Sequence, residues 1–330
     1  MSFRMLAVSA FLVLHFLAGF ASPIVTGAQD ELVKVPGGYL LKSNVHAVPE
    51  GGRIVHSSDS VQLIDAGGRV LHYASLSRSK PAFTRLNRPS SEVRRNLESA
   101  IVAAIWDAPS IFTFTSDWIV PPAPQKYSNQ LLYYFSALLP PSGDAFIQPV
   151  LQYGPSVAGG GAYWSVGSWF IAGDTGYYTN LTQVLSGEQN VYPFILDEDE
   201  FLGTPTTHAW YCGFEFHQQE SSLNIQTSET FNVAYVALEA YNAISLLNLP
   251  GQTTNIVNIA IANDDNEFSS PIPWTLFNDT ADGITMKVVS ASNGDGAALQ
   301  IQYVGNSSSK QGLEGERVEE QLTMKTSRRH

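Results

Sequence analysis

The sequence predicts an all-β protein built as a sandwich of two antiparallel sheets. Short apolar runs recur from residue 111 onward, Pro, Gly, Asn and Asp turns stand between them, and aromatics are abundant while long amphipathic helices are absent. The runs cover residues 111–115, 131–139, 161–172, 211–216, 231–241, 284–290 and 298–304. The one at 231–241 is long enough for a curved strand crossing a large sheet.

Ahead of this block the pattern differs. Residues 22–73 carry short strand-like runs broken by Pro-Gly-Gly at 36–38 and by glycine pairs at 51–52 and 67–68, while 91–105 has helix-like character. Residues 1–21 read as a secretory signal: Arg4 gives the positive start, Ala7 to Phe20 is almost wholly apolar, and Gly19 and Ala21 supply small residues for cleavage. No later stretch approaches twenty apolar residues, so a secreted, extracellular, soluble protein with no membrane association is expected. Three Asn-x-Ser/Thr sequons, at Asn180, Asn278 and Asn306, agree with that route as glycosylation positions. Cys212 is the single cysteine, which excludes an intrachain disulfide and leaves stability to core burial; between Tyr211 and Gly213 it reads as a small buried hydrophobe.

Charge divides the chain. Between Trp106 and Ser309 there are nineteen acidic side chains and two basic ones, Lys126 and Lys287, whereas Ser22 to Ile105 holds ten basic residues against seven acidic. A body of net charge minus seventeen repels itself near neutrality and loses that repulsion once its carboxylates protonate, at about pH 3 to 4. It is also a poor partner for nucleic acid. A basic segment ahead of it neutralises part of the field, and Arg94-Arg95 is a dibasic pair of the kind cut by secretory processing proteases. Residues 22–95 therefore read as a basic pro-segment, 96–309 as the acidic β-sandwich domain, and the mixed, aromatic-free stretch 310–330 as a disordered tail. A monomer is expected.

The most informative local string is Phe146-Ile147-Gln148-Pro149-Val150-Leu151-Gln152-Tyr153-Gly154. In a strand Gln148, Val150 and Gln152 share one face, and two amides on one face can hydrogen-bond a ligand carbonyl or a sugar hydroxyl; Pro149 removes a ladder donor and suggests an edge or bulge. The glycines at 159–161 read as a turn, followed by Tyr163, Trp164 and Trp169 as candidates to line a cleft. Two carboxylates, Glu215 and Glu239, lie inside apolar strand-like runs, the setting that suits a general acid or base. Metal chemistry finds no support: His208 and His217 lack a third ligand at suitable spacing, and the acidic runs at 197–200 and 264–267 lack the alternating calcium-loop pattern with its central glycine. No cofactor or metal is expected.

Four strings together, 114–124, 147–156, 158–169 and 238–241, resemble the fungal glutamic peptidases, the eqolisins, and more closely the secreted eqolisin-like proteins of fungi and actinobacteria. That resemblance implies a concanavalin A-like sandwich, a basic pro-segment removed on maturation, and work in acid. It implies a glutamate that activates water and a glutamine amide that stabilises the oxyanion. Gln152, in Leu-Gln-Tyr-Gly, falls at the family glutamine. The family glutamate falls at Tyr235 or Val236, which leaves Glu239 or Glu229 to take its role, and Ser168 stands where the family carries an acid. The expected function is thus an acid endopeptidase acting on protein or peptide through Gln152 and Glu239, with Gln148, Tyr163, Trp164 and Trp169 binding substrate. The alternatives are an inactive lectin-like module using Gln148, Gln152, Trp164 and Trp169 to bind polysaccharide or peptide, and a glycosidase, for which the close Glu-x-Asp-x-Glu strand is missing.

Overall fold

A computed structural model of the chain describes residues 30–76, 99–186, 190–198, 207–251, 253–263, 265, 267–280, 283–294 and 296–303. The signal at 1–21, the Arg94-Arg95 pair, the Asn306 sequon and the tail 310–330 lie outside these residues.

The basic segment is itself β-structure. It forms β1 (Leu32–Val35), β2 (Gly38–Leu41), β3 (Val45–Ala47), β4 (Arg53–His56), β5 (Ser60–Ile64) and β6 (Val70–Ser75). The glycine breaks at 36–38, 51–52 and 67–68 fall at the β1–β2, β3–β4 and β5–β6 connections, as turn chemistry requires.

β7 (Ser99–Asp107) overturns the helical reading of 91–105 over its described part. Its alanines favour helix, but Ile101, Val102, Ile105 and Trp106 favour a strand, and nine paired residues with a neighbouring strand outweigh local propensity. The main body continues with β8 (Thr113–Ile119), β9 (Leu131–Leu139), β10 (Ala145–Tyr153), β11 (Trp164–Ala172), β12 (Thr175–Tyr178), β13 (Thr182–Gln183), β14 (Asn190–Val191), β15 (Pro193–Asp197) and β16 (His208–Phe214). It closes with β17 (Leu223–Thr227), β18 (Val233–Tyr241), β19 (Thr254–Ala262), β20 (Thr275–Phe277), β21 (Ile284–Ser290) and β22 (Ala297–Tyr303).

Two large sheets form the sandwich. The first runs β20-β7-β18-β9-β10-β11-β12-β3, with β13 also on β11; the second runs β21-β22-β19-β8-β15-β16-β17-β4-β5-β6, with β14 also on β8. Among the described strands every pairing is antiparallel except two, β3 on β12 and β4 on β17. Those two join the basic segment to the body, one in each sheet, so 32–76 extends both layers instead of standing apart. Its Val35, Leu40, Val48, Ile54, Val61 and Leu63 belong to the same continuous core as the body.

Strand alternation sorts side chains into that core. On β9 the even-numbered residues face the second sheet: Tyr134 hydroxyl meets Tyr303 hydroxyl at 2.6 Å and Ser136 meets Ser116 at 3.4 Å. Cys212 is buried, and burial pushes its thiol up to about 12, which keeps it the inert packing group expected from its neighbours. Pro149 corrects another expectation, because β10 lies in the middle of its sheet. The missing donor shows in the ladder instead: β10 pairs with β9 at Ile147 and again from Val150, skipping Gln148 and Pro149. No helix among the described residues is long and apolar enough to cross a membrane.

Candidate functional site

Register places the polar residues of the first sheet in one row. Glu239 on β18 and Gln152 on β10 both pair with Tyr133 on β9, so the acid and the amide flank one tyrosine on the face turned away from the core. Two strand spacings separate their Cα atoms, roughly 9.5 Å. Gln148 lies four residues along β10 on the same face, beside Trp169 of β11.

An outward face of a sandwich is usually wet, yet Glu239, Tyr133, Gln148, Gln152 and Trp169 are each 1% exposed or less. Over Glu239, Gln148 and Tyr133 the cover comes from the chain's own β1–β2 hairpin. Pro36 followed by Gly37 at φ 93° is the pattern of a type II turn, whose central peptide unit has no partner inside its own hairpin. Both groups of that unit are taken by the sheet. Gly37 N donates to Glu239 Oε2 at 2.9 Å, and Gln148 Nε2 donates to the Pro36 carbonyl at 3.4 Å. A single peptide bond is therefore held between a carboxyl and an amide.

Two phenols complete the grip. Tyr241 donates to Glu239 Oε2 at 2.9 Å and reaches the Val35 carbonyl at 3.5 Å, while Tyr133 donates to the Lys34 carbonyl at 3.2 Å. Burial, reinforced by the charge and hydrogen bond of Glu239, pushes the Tyr241 phenol far above its ordinary range; burial does the same for Tyr133. Both stay protonated and serve as donors. Gln148 Oε1 and Trp169 Nε1, side by side in register, are buried without a hydrogen-bond partner. Leaving such groups unmet costs about 1–3 kcal/mol each, so the turn satisfies this surface only in part.

Gln152 is engaged elsewhere, which departs from its expected role. Its Nε2 donates to the carbonyls of Gly154 at 2.7 Å and Gly159 at 3.0 Å, and Ser156 Oγ donates to its Oε1 at 3.0 Å. Both amide hydrogens are thus spent on the loop that follows β10. The glycine run at 159–161 is a close-fitting cradle for this amide rather than a loose turn: a Cβ on Gly160 would lie 2.5 Å from Gln152 Nε2.

The other candidates scatter. Trp164 is a correction: it points into the inter-sheet core against Tyr134 and Tyr153, with centroids at 5.5 and 5.1 Å. Trp164 and Trp169 are five residues apart, and period-two alternation puts them on opposite faces. Trp169 does share the face of Gln148 and stacks near Tyr178 at 5.0 Å. Tyr163 is 40% exposed in the loop before β11. Glu229 sits half-buried between β17 and β18, where its backbone N–H donates to Thr227 Oγ1; six residues of β18, about 20 Å of strand, part Glu239 from Val233 at its near end. Glu215 is exposed in a 3-10 turn that begins where β16 ends, and Ser168 is buried on the inward face of β11. Asp197, from the acidic run, pairs with His208 Nδ1 at 2.6 Å, and among the described residues no cluster has the make-up of a metal site. Asn180 and Asn278 are exposed.

Sequence reasoning missed Tyr133, Tyr241 and the turn that they hold. Leu131-Leu132-Tyr133-Tyr134-Phe135 is apolar on both faces and gives no alternation to read. The cavities of about 430 and 380 Å³ elsewhere on the molecule include neither Gln148 nor Glu239, since the turn fills the space above them.

Gly37 gives a direct check of this seating. A Cβ there would lie 2.5 Å from Phe146 Cζ, on a backbone at φ 93° that L residues avoid. Gly37→Ala is expected to weaken hairpin docking by about 1–3 kcal/mol, read as a roughly 10- to 100-fold rise in amide exchange of residues 33–40 with the body amides unchanged.

No family model and no curated protein match the sequence. Solved structures do. The chain is similar to Scytalido-glutamic peptidase with a peptide-based transition state analog, at 10% identity and a TM-score of 0.43. It is also similar to that peptidase with a transition state analog inhibitor and to SCP-B, a member of the Eqolisin family, in complex with the tripeptide Ala-Ile-His, each at 11% identity and a TM-score of 0.40. Each alignment covers 63% of this chain and 99% of the other.

Proposed function

We propose that the outer face of the first sheet is a peptide site, and that with the basic segment displaced the protein is a secreted, acid-active endopeptidase. The observation that carries this is the Pro36–Gly37 peptide group, gripped on its carbonyl side by Gln148 and on its N–H side by Glu239. A substrate bond in the same place has its carbonyl polarised by the Gln148 amide, which then stabilises the negative charge that develops on that oxygen. Glu239 takes a proton from water as the water oxygen attacks the carbonyl carbon. The same carboxyl already lies against the peptide nitrogen, so it returns that proton to the departing amine. Atoms and charge balance without a cofactor or metal. Tyr241 and Tyr133 position the carboxyl and the chain preceding the bond, and Gln152 anchors the loop beside them in place of the oxyanion role first expected for it. Export through a glycosylating route fits the sequence of residues 1–21 and the exposure of Asn180 and Asn278.

A second reading is a non-hydrolytic module whose face stays occupied by its own hairpin. The pairing of β3 and β4 into both sheets favours it, because a removable segment is seldom so continuous with the body. Digestion of unfolded protein by acid-treated material at about pH 3 separates the two readings. The peptidase reading expects cleavage that falls about 10²- to 10³-fold in Gln148→Ala. Absence of cleavage by the unaltered protein, or equal rates in the variant, overturns it and leaves the binding module.

A further inference from the structure

Both seams that attach the basic segment to the body carry a buried or half-buried histidine. In the first sheet His46 of β3 pairs with Tyr177 of β12. His72 of β6 packs on it, ring centroids 3.6 Å apart, and meets the Tyr177 hydroxyl through Nδ1 at 3.0 Å. In the second sheet His56 of β4 is 4% exposed, with Nδ1 2.9 Å from Thr227 Oγ1 of β17 and its ring against Phe170 of β11 at 5.5 Å. His46 Nε2 is buried without a partner.

We propose that His46, His72 and His56 form an acid-operated latch, which holds the segment 32–76 on the sandwich while the imidazoles are neutral and releases it when they take up protons. Both rings sit on the segment against Tyr177 of the body, so two imidazolium groups 3.6 Å apart repel in the seat they share, and the charge acting within this half-buried pair is their own. Its other titratable neighbour is Tyr177, a phenol that burial holds well above its usual range and therefore neutral. Beside His56 the facing groups are the neutral Thr227 and Phe170, with Asp144 as the nearby charge; it favours the protonated ring but is outweighed by burial. Release exposes Gln148 and Glu239, because the β1–β2 hairpin leaves with the strands that follow it. The latch regulates the site proposed above and rests on that reading for its purpose, though not for its physics.

The sign follows from proton linkage. Burial, then the charge of His72, lowers His46 from 6.5 to about 4, and burial lowers His72 and His56. The docked state thus binds fewer protons than the released one, whose imidazoles titrate near 6.5. Docking is fully favourable above about pH 6.5 and weakens as pH falls towards 4, with the share of His46 reduced by solvent screening of its half-buried ring.

Hydrogen exchange of the full chain between pH 7 and 4, corrected for intrinsic rates, reads the latch directly. The amides of β12 at 176–178 and β17 at 225–227 are expected to lose protection together with 33–40, and His46→Gln/His72→Gln is expected to move that transition at least one pH unit lower. Imidazole titration of the unaltered chain by NMR supplies a readout that needs no variant: the rings should titrate in step with the loss of protection. Constant protection down to pH 4, or rings that titrate near 6.5 with 176–178 still protected, overturns the latch. A Glu239→Gln chain distinguishes its failure from that of the peptidase reading. Retention of the transition there assigns it to the histidines, whatever becomes of cleavage; loss of the transition assigns it to the carboxyl and sinks the latch.

Discussion

Glu239→Gln is expected to lower peptide cleavage by acid-treated protein by about 10²- to 10⁴-fold, the contribution of a positioned general base. The substitution keeps the shape of the side chain and an oxygen that accepts from Gly37 N and from Tyr241, so the hairpin should remain docked at neutral pH. Hydrogen exchange of residues 33–40 checks that separately from kinetics. A variant that still docks the hairpin but no longer cleaves identifies the missing proton acceptor as the cause. Undiminished cleavage would remove Glu239 from the chemistry. Glu229, half-buried in the β17–β18 connection, would not become the replacement, because it lies before Val233, and about 20 Å of strand parts Val233 from Glu239, which meets the Gly37 N–H.

The second large effect is structural. Trp164→Ala is expected to destabilise the fold by about 3–5 kcal/mol in denaturant titration, the range for truncating a fully buried aromatic. Its ring packs on Tyr134 and Tyr153 between the sheets, and neighbouring strands leave little room to collapse into the void. Trp169→Ala supplies the contrast. That ring lies on the outer face near Tyr178, at 5.0 Å, and both indoles carry a buried Nε1 that nothing accepts, so relief of that donor is common to the two and the difference lies in what closes over the void. The expected cost is about 1–2 kcal/mol lower than for Trp164, because the cover of the outer face closes over a void more readily than two packed sheets do, and hairpin docking should weaken with it. Equal costs at the two positions would show that the outer face is packed like the core.

Much of this was legible in the chain. Turn residues between β-rich runs gave the sandwich, and period-two alternation put Gln148 and Gln152 on one face. The same rule, applied to positions 164 and 169, already separates the two tryptophans. Charge segregation marked out residues 22–95, but composition carries no geometry, so the seating of the Pro36–Gly37 turn on Glu239 was invisible. The helical reading failed over 99–105 because alanine-rich stretches follow the partners offered to them, here β18 along nine residues.

The sequence by itself determined what is local: which segments extend, where the chain turns, which residues alternate together, and which parts repel or attract. The tertiary structure alone decided that Glu239, 202 residues from Gly37, shares one peptide group with Gln148, and that Gln152 spends both of its hydrogens on its own loop. The reason is register. Alternation is written into each strand, but which amide stands opposite which acid depends on pairings between distant strands, whose energies belong to the assembled sheet and to no single stretch of chain.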